Sequence, residues 1–211
     1  MEQIASNLTI ENRRNNFINR KMIFNVLGLL LCIEAGMFLI CAGVSLYHNE
    51  QDAIFFLYSI LINAGAASLF LLFGRGANRQ LGRRDGYIIV SASWLLFSVF
   101  GMLPFLFSKS IDGVTNAFFE TMSGFTTTGA TILDDIESLS HGMLFWRSLT
   151  QWIGGLGIVL FTIAILPIFG VGNMQLVSAE STGVKHDKIH PKIGMMAKVL
   201  WGVYLVLTIT E

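Results

Sequence analysis

The most distinctive chemistry of the chain lies in a run of threonines interrupted by one glycine, TTTGAT at residues 126–131. Threonine is β-branched and favours extended backbone, whereas Gly129 can adopt a positive φ that its neighbours avoid. An extended strand of this kind can aim successive carbonyls at one axis, where they replace the hydration shell of a cation. The candidate cation-binding residues are Thr126, Thr127, Thr128, Gly129, Ala130 and Thr131.

The segment before this strand is apolar but too short to cross a bilayer. Residues 114–122 would rise about 1.5 Å each as a helix, which covers roughly half of the hydrocarbon core. We expect Asp112 or Thr115 to cap this half-helix. Irregular backbone at membrane depth is tolerated only where it is buried in protein or lines a cavity. The sequence therefore predicts a re-entrant pore loop, whose half-helix directs a partial negative charge at the strand.

Charged residues flank the predicted strand. Asp134, Asp135 and Glu137 follow it and could concentrate cations at an outer mouth. Arg147 could extend to the membrane interface or pair with Glu120 or an outer aspartate. We expect it to support the strand structurally rather than to contact the ion.

Two other motifs are weaker. GFTTTGAT nearly matches the phosphate-binding pattern G-x-x-x-x-G-K-[ST], but Ala130 occupies the lysine position and no strand precedes it, so nucleotide binding is rejected. His186 and His190 have metal-ligand spacing, yet they lie in a charged segment before Pro191 and are predicted to be solvated loop residues. The pore loop also has an alternative, in which it dips into the membrane only to pack between helices.

Composition indicates which elements position these residues. Of 211 residues, 53% are hydrophobic and 13% charged, whereas soluble domains carry about 25% charged residues. A soluble enzyme and a disordered or fibrous chain are excluded, and the zero net charge points to no nucleic-acid partner. The chain is predicted to be an all-α, polytopic membrane protein in contact with lipid.

Four apolar stretches are long enough to span a bilayer, at residues 22–46, 53–73, 87–107 and 143–169. A fifth begins near Met195, and we expect it to be a truncated helix. Trp146 and Trp152 are expected in the interfacial aromatic belt, and Gly154, Gly155 and Gly157 are expected to allow close helix packing.

Basic residues are confined to alternate connecting segments, which sets the orientation. They are Arg13, Arg14, Arg20, Lys21, Arg75, Arg79, Arg83, Arg84, Lys185, Lys188 and Lys192. The remaining loops are acidic. We therefore expect the amino terminus to be cytoplasmic.

Two sequences, FFETMSGFTTTGATILDDIESL and FWRSLTQWIGGLGIVLFTIAILPI, closely resemble the first pore repeat of TrkH-type potassium uptake proteins of the Trk/Ktr/HKT superfamily. The resemblance covers essentially the whole chain and is most specific from Gly113 to Glu180. Two spans before the first repeat are typical of the TrkH branch.

This resemblance implies four M1–P–M2 repeats in one polypeptide around a single potassium pathway. By motif, residues 127–131 are a filter strand, Gly129 is the filter glycine, and the carbonyls of Thr127 and Thr128 are the first choice as K+ ligands. The implied organisation is a cytoplasmic tail (1–21), two preceding helices (22–73), the first repeat (87–170, with pore half-helix and filter at 113–131), a cytoplasmic loop (171–194) and the first helix of a second repeat (195–211).

The function implied by the resemblance is passive K+ uptake across the cell (inner) membrane, with K+ as the transported ion, no organic cofactor and no covalent chemistry. It also implies a homodimer in the full-length protein and a cytosolic nucleotide-binding regulatory subunit. Because we expect only one complete repeat here, three filter strands would come from elsewhere. The alternatives are a homotetrameric one-repeat channel and a non-conducting scaffold or enzyme, although no nucleophile–base pair or metal cluster is evident.

Glu34 lies in the first span, and an intramembrane carboxylate is a functional candidate by default. It lies outside the pore repeat, however, so a structural hydrogen bond or a protonated acid is favoured, with Asn63 as a candidate partner.

Overall fold

A computed structural model describes residues 18–77, 83–165 and 190–210, with side chains for 18–77, 84–157 and 198–210. These ranges contain seven helices and no strand, which confirms the all-α class. The helices are α1 (Arg20–Tyr47), α2 (Ala53–Phe73), α3 (Arg83–Gly101), α4 (Leu103–Ser108), α5 (Val114–Phe125), α6 (His141–Ile165) and α7 (His190–Thr210).

Several of these helices match the dimensions of a bilayer. Three apolar helical stretches of the described chain are long enough to cross a membrane: α1, α2, and α3 together with α4. Helix α6 adds 25 residues, or about 37 Å at 1.5 Å per residue. The chain is therefore a multi-pass membrane protein.

Helices α1 and α2 form an antiparallel hairpin. At one end the ring of Phe24 packs against the rings of Phe70 and Phe73, at 5.4 and 6.0 Å between centroids. Further along, Phe38 meets Phe56 at 6.4 Å. Both helices match their predicted spans closely because their apolar runs end at polar turns.

The third predicted span, 87–107, is broken into α3 and α4 at Met102. Pro104 lies in the first turn of α4, where its missing N–H costs no helical hydrogen bond. The indole N–H of Trp146 donates to the carbonyl of Gly101 at 2.9 Å, at the end of α3.

Trp146 is fully buried, so its expected position in the interfacial belt is wrong. Its ring packs 4.5 Å from that of Phe38 and 6.1 Å from that of Phe125. The carbonyl at the break between α3 and α4 satisfies the indole N–H inside the protein, which makes full burial of this side chain possible. This tryptophan forms a core that joins the hairpin, the half-helix α5 and α6.

Helix α7 begins at His190 rather than at Met195, so residues 190–194 are helical instead of loop. Pro191 lies in its first turn, where proline is tolerated. His190 is therefore not a loop residue. His186, residues 1–17 of the tail and most of the predicted cytoplasmic loop lie outside the described residues.

Candidate cation-binding loop

The half-helix α5 runs from Val114 to Phe125, three residues beyond its predicted end. Its 12 residues span about 18 Å, which is still roughly half of a hydrocarbon core. The helix starts after Gly113, whose φ is +87° and which has no capping side chain. The expectation that Asp112 or Thr115 caps the helix is therefore wrong.

The predicted strand, residues 126–131, does not form a β-strand in the described chain, and it leaves α5 through a tight backbone turn. The N–H groups of Thr126, Thr127 and Thr128 donate to the carbonyls of Met122, Gly124 and Ser123, each at 2.9 Å. These bonds satisfy the carbonyls at the end of the helix, so the chain turns sharply without leaving those groups unpaired.

Two residues of the strand have left-handed backbone. Gly129 has a φ of +73°, which confirms the expectation of a positive φ at this glycine. Thr127 has a φ of +55°, which the sequence did not predict because a β-branched residue rarely adopts it. Its hydroxyl donates to the carbonyl of Thr126 at 2.7 Å.

The carbonyls of the strand fall into two groups. In the part of the chain that the structure describes, no hydrogen bond is donated to the carbonyls of Thr127, Thr128 or Gly129, and the last two residues are exposed. The carbonyl of Ala130, by contrast, accepts a hydrogen bond of 2.6 Å from the hydroxyl of Ser123. The segment is thus held against α5 at Ala130, while the three preceding carbonyls, those of Thr127, Thr128 and Gly129, accept no hydrogen bond within the described chain.

A buried carboxylate fixes the far end of the strand. Glu120 is 3% exposed and accepts a 2.7 Å hydrogen bond from Nε of Arg147 on α6. It also accepts from the Thr131 hydroxyl at 3.0 Å and from the Ile132 N–H at 2.9 Å. The pairing of Arg147 with Glu120, one of the expected partners, is confirmed. This one carboxylate links the half-helix, the strand and α6.

Further residues lie behind the strand without having been predicted from the sequence. Ser123 and Gln151, together with Glu120 and Arg147, line a narrow recess that Gly129 closes. The amide nitrogen of Gln151 would lie 3.8 Å from a Cβ placed on Gly129. The position of Gln151 could have been predicted from its spacing, because it lies one helical turn after Arg147 and on the same face of the helix.

Helices α5 and α6 approach each other backbone to backbone. A Cβ on Gly154 would overlap the carbonyl group of Phe125, with the carbonyl carbon at 2.8 Å. The expectation that Gly154 permits close packing is confirmed. This contact positions the carboxyl end of α5 directly against α6.

The outer acids differ in their surroundings. Asp134 and Asp135 are exposed, and a carboxylate oxygen of Asp135 accepts from the N–H of Glu137 at 3.1 Å. No contact in the described chain joins either aspartate to Arg147.

Glu50, in the turn between α1 and α2, has a role that sequence analysis missed. It accepts hydrogen bonds from the N–H and ring Nδ1 of His141 at 2.9 and 2.7 Å, and from the N–H of Gly142 at 3.2 Å. Partial burial acts to raise the pKa of Glu50, but these hydrogen bonds outweigh it and lower the pKa below its ordinary value. The carboxylate thereby caps α6 from outside the helix.

Comparisons with known proteins show which family the chain belongs to. The TrkH family model, described as a cation transport protein, matches residues 48–211. The Trk system potassium uptake protein TrkH of Escherichia coli K12 is 39% identical over 191 residues, covering 90% of this chain and 40% of the relative. The TrkG protein of the same organism is 33% identical over 198 residues, with 90% and 39% coverage.

A solved structure, that of the potassium transporter TrkH from Vibrio parahaemolyticus, is also similar. It superposes with a TM-score of 0.75 at 34% identity, covering 90% of this chain and 38% of that one. The chain thus spans about 40% of the length of the relatives that it matches.

Proposed function

The chain belongs to the TrkH family of cation transport proteins, a transporter family rather than an enzyme family, and we propose that it supplies one strand of a potassium filter. The observation that carries this proposal is the pair of carbonyls at Thr127 and Thr128, which receive no hydrogen bond within the described chain. Two unbonded carbonyls on a rigid strand can replace water around a dehydrated cation.

The remaining strand residues hold these carbonyls in place. The Thr126 hydroxyl donates to the carbonyl of Met122 at 2.8 Å, Ala130 is held by Ser123, and Thr131 by Glu120. We assign these three residues to positioning of the strand rather than to the side of the ion. These contacts matter because a binding site needs its ligands to be held in a fixed geometry by the residues around them.

The electrostatics of the loop favour a cation over an anion. The carboxyl end of α5, which carries roughly half a negative charge, lies directly before Thr126. The exposed carboxylates of Asp134 and Asp135 add negative charge on the other side of the strand. The positive charge of Arg147 is neutralised by Glu120, so it does not oppose cation entry.

In the complete transporter, we propose that four such strands surround one pathway through which K+ moves down its electrochemical gradient. The amino terminus would lie in the cytoplasm and the acidic loops outside the cell (inner) membrane, because the basic residues alternate between segments. A homodimer and a cytosolic nucleotide-binding regulatory subunit complete the proposal, on the basis of the family resemblance.

A hybrid transporter can test the filter assignment. This chain would replace the aligned segment of the E. coli potassium uptake protein, and K+ uptake would be measured in cells that depend on it. Gly129→Ala places a side chain at a φ of +73°, in space that the recess leaves open. The cost is therefore about 1–2 kcal/mol of local backbone strain, and we expect uptake to be lost.

Gly76→Ala is the matched control. Gly76 has nearly the same φ, +70°, and equally open surroundings, but it lies after α2. Its substitution should leave uptake unchanged. Equal uptake by the two variants would contradict the assignment of the filter.

A further inference from the structure

A second buried carboxylate lies in the α1–α2 hairpin, near the end of α3. Glu34 on α1 is 1% exposed and Asn63 on α2 is fully buried. The amide Nδ2 of Asn63 donates to Oε2 of Glu34 at 3.1 Å, which confirms the expected pairing.

Glu34 lies beside the end of α3. A Cβ placed on Gly101 would lie 3.2 Å from Oε1 of Glu34, 2.7 Å from the methyl group of Thr121 and 3.1 Å from the ring of Phe125. The absence of a side chain at Gly101 therefore leaves room for the carboxyl group on one side and for two residues of α5 on another.

The hydrogen bonding around the pair is incomplete in a specific way. Within the described residues, Oε1 of Glu34 and Oδ1 of Asn63 are buried and have no hydrogen-bond partner. Both atoms are acceptors, so the missing component is a hydrogen-bond donor. An ionised carboxylate can only accept, so it could not satisfy the unpaired oxygen of Asn63.

No cation of the described chain neutralises Glu34. Glu120 of α5 is paired with Arg147, and Glu34 accepts its hydrogen bond from the uncharged amide of Asn63. A buried charge without a partner is strongly disfavoured, more so in a membrane.

We propose that Glu34 is a proton-binding site and carries its proton in the native protein, forming an acid–amide pair with Asn63. The carboxyl O–H donates to the amide oxygen while the amide N–H donates to the other carboxyl oxygen. This arrangement removes both unpaired acceptors. The proton comes from the aqueous buffer, and no other group changes its charge.

The paired acid joins α1 to α2 beside Gly101 of α3. Loss of the proton would place an uncompensated negative charge in this buried site, and we expect the packing of α1 against α2 and α3 to loosen in response. This inference does not depend on potassium transport, since it concerns the state of one carboxyl group.

Infrared spectroscopy of the chain in lipid nanodiscs in D₂O tests the proposal. A protonated carboxyl group gives a C=O band that is separate from carboxylate absorption. We expect this band at neutral pH and expect Glu34→Gln to remove it. The matched control is Glu50→Gln, which should remove carboxylate absorption instead, since Glu50 is ionised. Loss of carboxylate absorption in Glu34→Gln would overturn the proposal.

Two further measurements are needed. One addresses the possibility that Glu34→Gln does not fold, and the other asks whether a metal cation rather than a proton is bound at Glu34. Asn63→Leu keeps Glu34 but removes its acceptor, so the C=O band should persist and shift; an unshifted band would contradict the acid–amide pair. Any dependence of thermal stability on whether the salt is Na+, Li+ or K+ should be the same in the wild type and in Asn63→Leu. Stabilisation by one of these ions that is absent in Asn63→Leu would place a metal cation at the site and overturn the proton assignment.

Discussion

Replacing Arg147 by methionine tests whether the ion pair behind the strand positions the filter. Methionine keeps much of the apolar length of the side chain but removes the cation that Glu120 faces at 2.7 Å. Of the donors that the structure describes, Glu120 would then keep the Thr131 hydroxyl and the Ile132 N–H. The variant therefore leaves an uncompensated charge rather than merely deleting a contact.

The expected magnitude follows from burial. The side chains of Glu120 and Arg147 are 2% and 20% exposed, and removal of one partner from a buried pair costs about 3–5 kcal/mol. For a chain of this size the melting temperature should fall by roughly 10 °C. K+ uptake by the hybrid transporter should fall as well, because Glu120 also holds the strand at Thr131.

Two comparisons separate this effect from general damage. Arg75→Met makes the same change at an exposed arginine after α2 and should leave melting and uptake close to wild type. Glu120→Gln combined with Arg147→Met removes both charges, so it should melt at a higher temperature than Arg147→Met alone. An Arg147→Met variant as stable as Arg75→Met, or a double variant no better than the single one, would refute the reasoning.

Three further results are expected. Gly154→Ala should destabilise the protein by about 1–3 kcal/mol through overpacking, because its Cβ would overlap the Phe125 carbonyl; urea unfolding measures this, and an unchanged midpoint would contradict the close approach. Ser123→Ala should cost about 1 kcal/mol and lower the ratio of K+ to Na+ uptake, because the Ala130 carbonyl loses its 2.6 Å donor; an unchanged ratio would argue against this brace. Glu50 has a lowered pKa in the folded state, so its stabilisation is complete above its ordinary pKa and is lost as pH falls through the lowered value. Glu50→Gln should therefore reduce stability at pH 7, and the difference from wild type should shrink as the pH falls through that lowered value, in thermal melts over a series of pH values.

Much of the architecture could be predicted from the sequence because bilayer thickness fixes the length of an apolar helix. The spans of α1 and α2, the half-length of α5 and the positive φ of Gly129 all follow from residue type and run length. The sequence also predicted Glu120 as one of the few possible partners of Arg147, since an arginine within a membrane span requires an acid nearby.

Other features depend on tertiary contacts that no local pattern encodes. The burial of Trp146 follows from the carbonyl of Gly101, which is left available where α3 ends. The left-handed backbone of Thr127 opposes its β-branched preference and follows from the tight turn after α5. Glu50 lies 91 residues before His141, so its role in capping α6 could not be read from sequence spacing.

The most direct test of the central claim is to locate the ion. We would crystallise the hybrid transporter in Rb+, whose anomalous scattering distinguishes it from water. The account predicts an ion on the pore axis that is coordinated by the carbonyl oxygens of Thr127 and Thr128 and lost in Gly129→Ala. Ions bound only elsewhere, with those two carbonyls turned away from the axis, would contradict it.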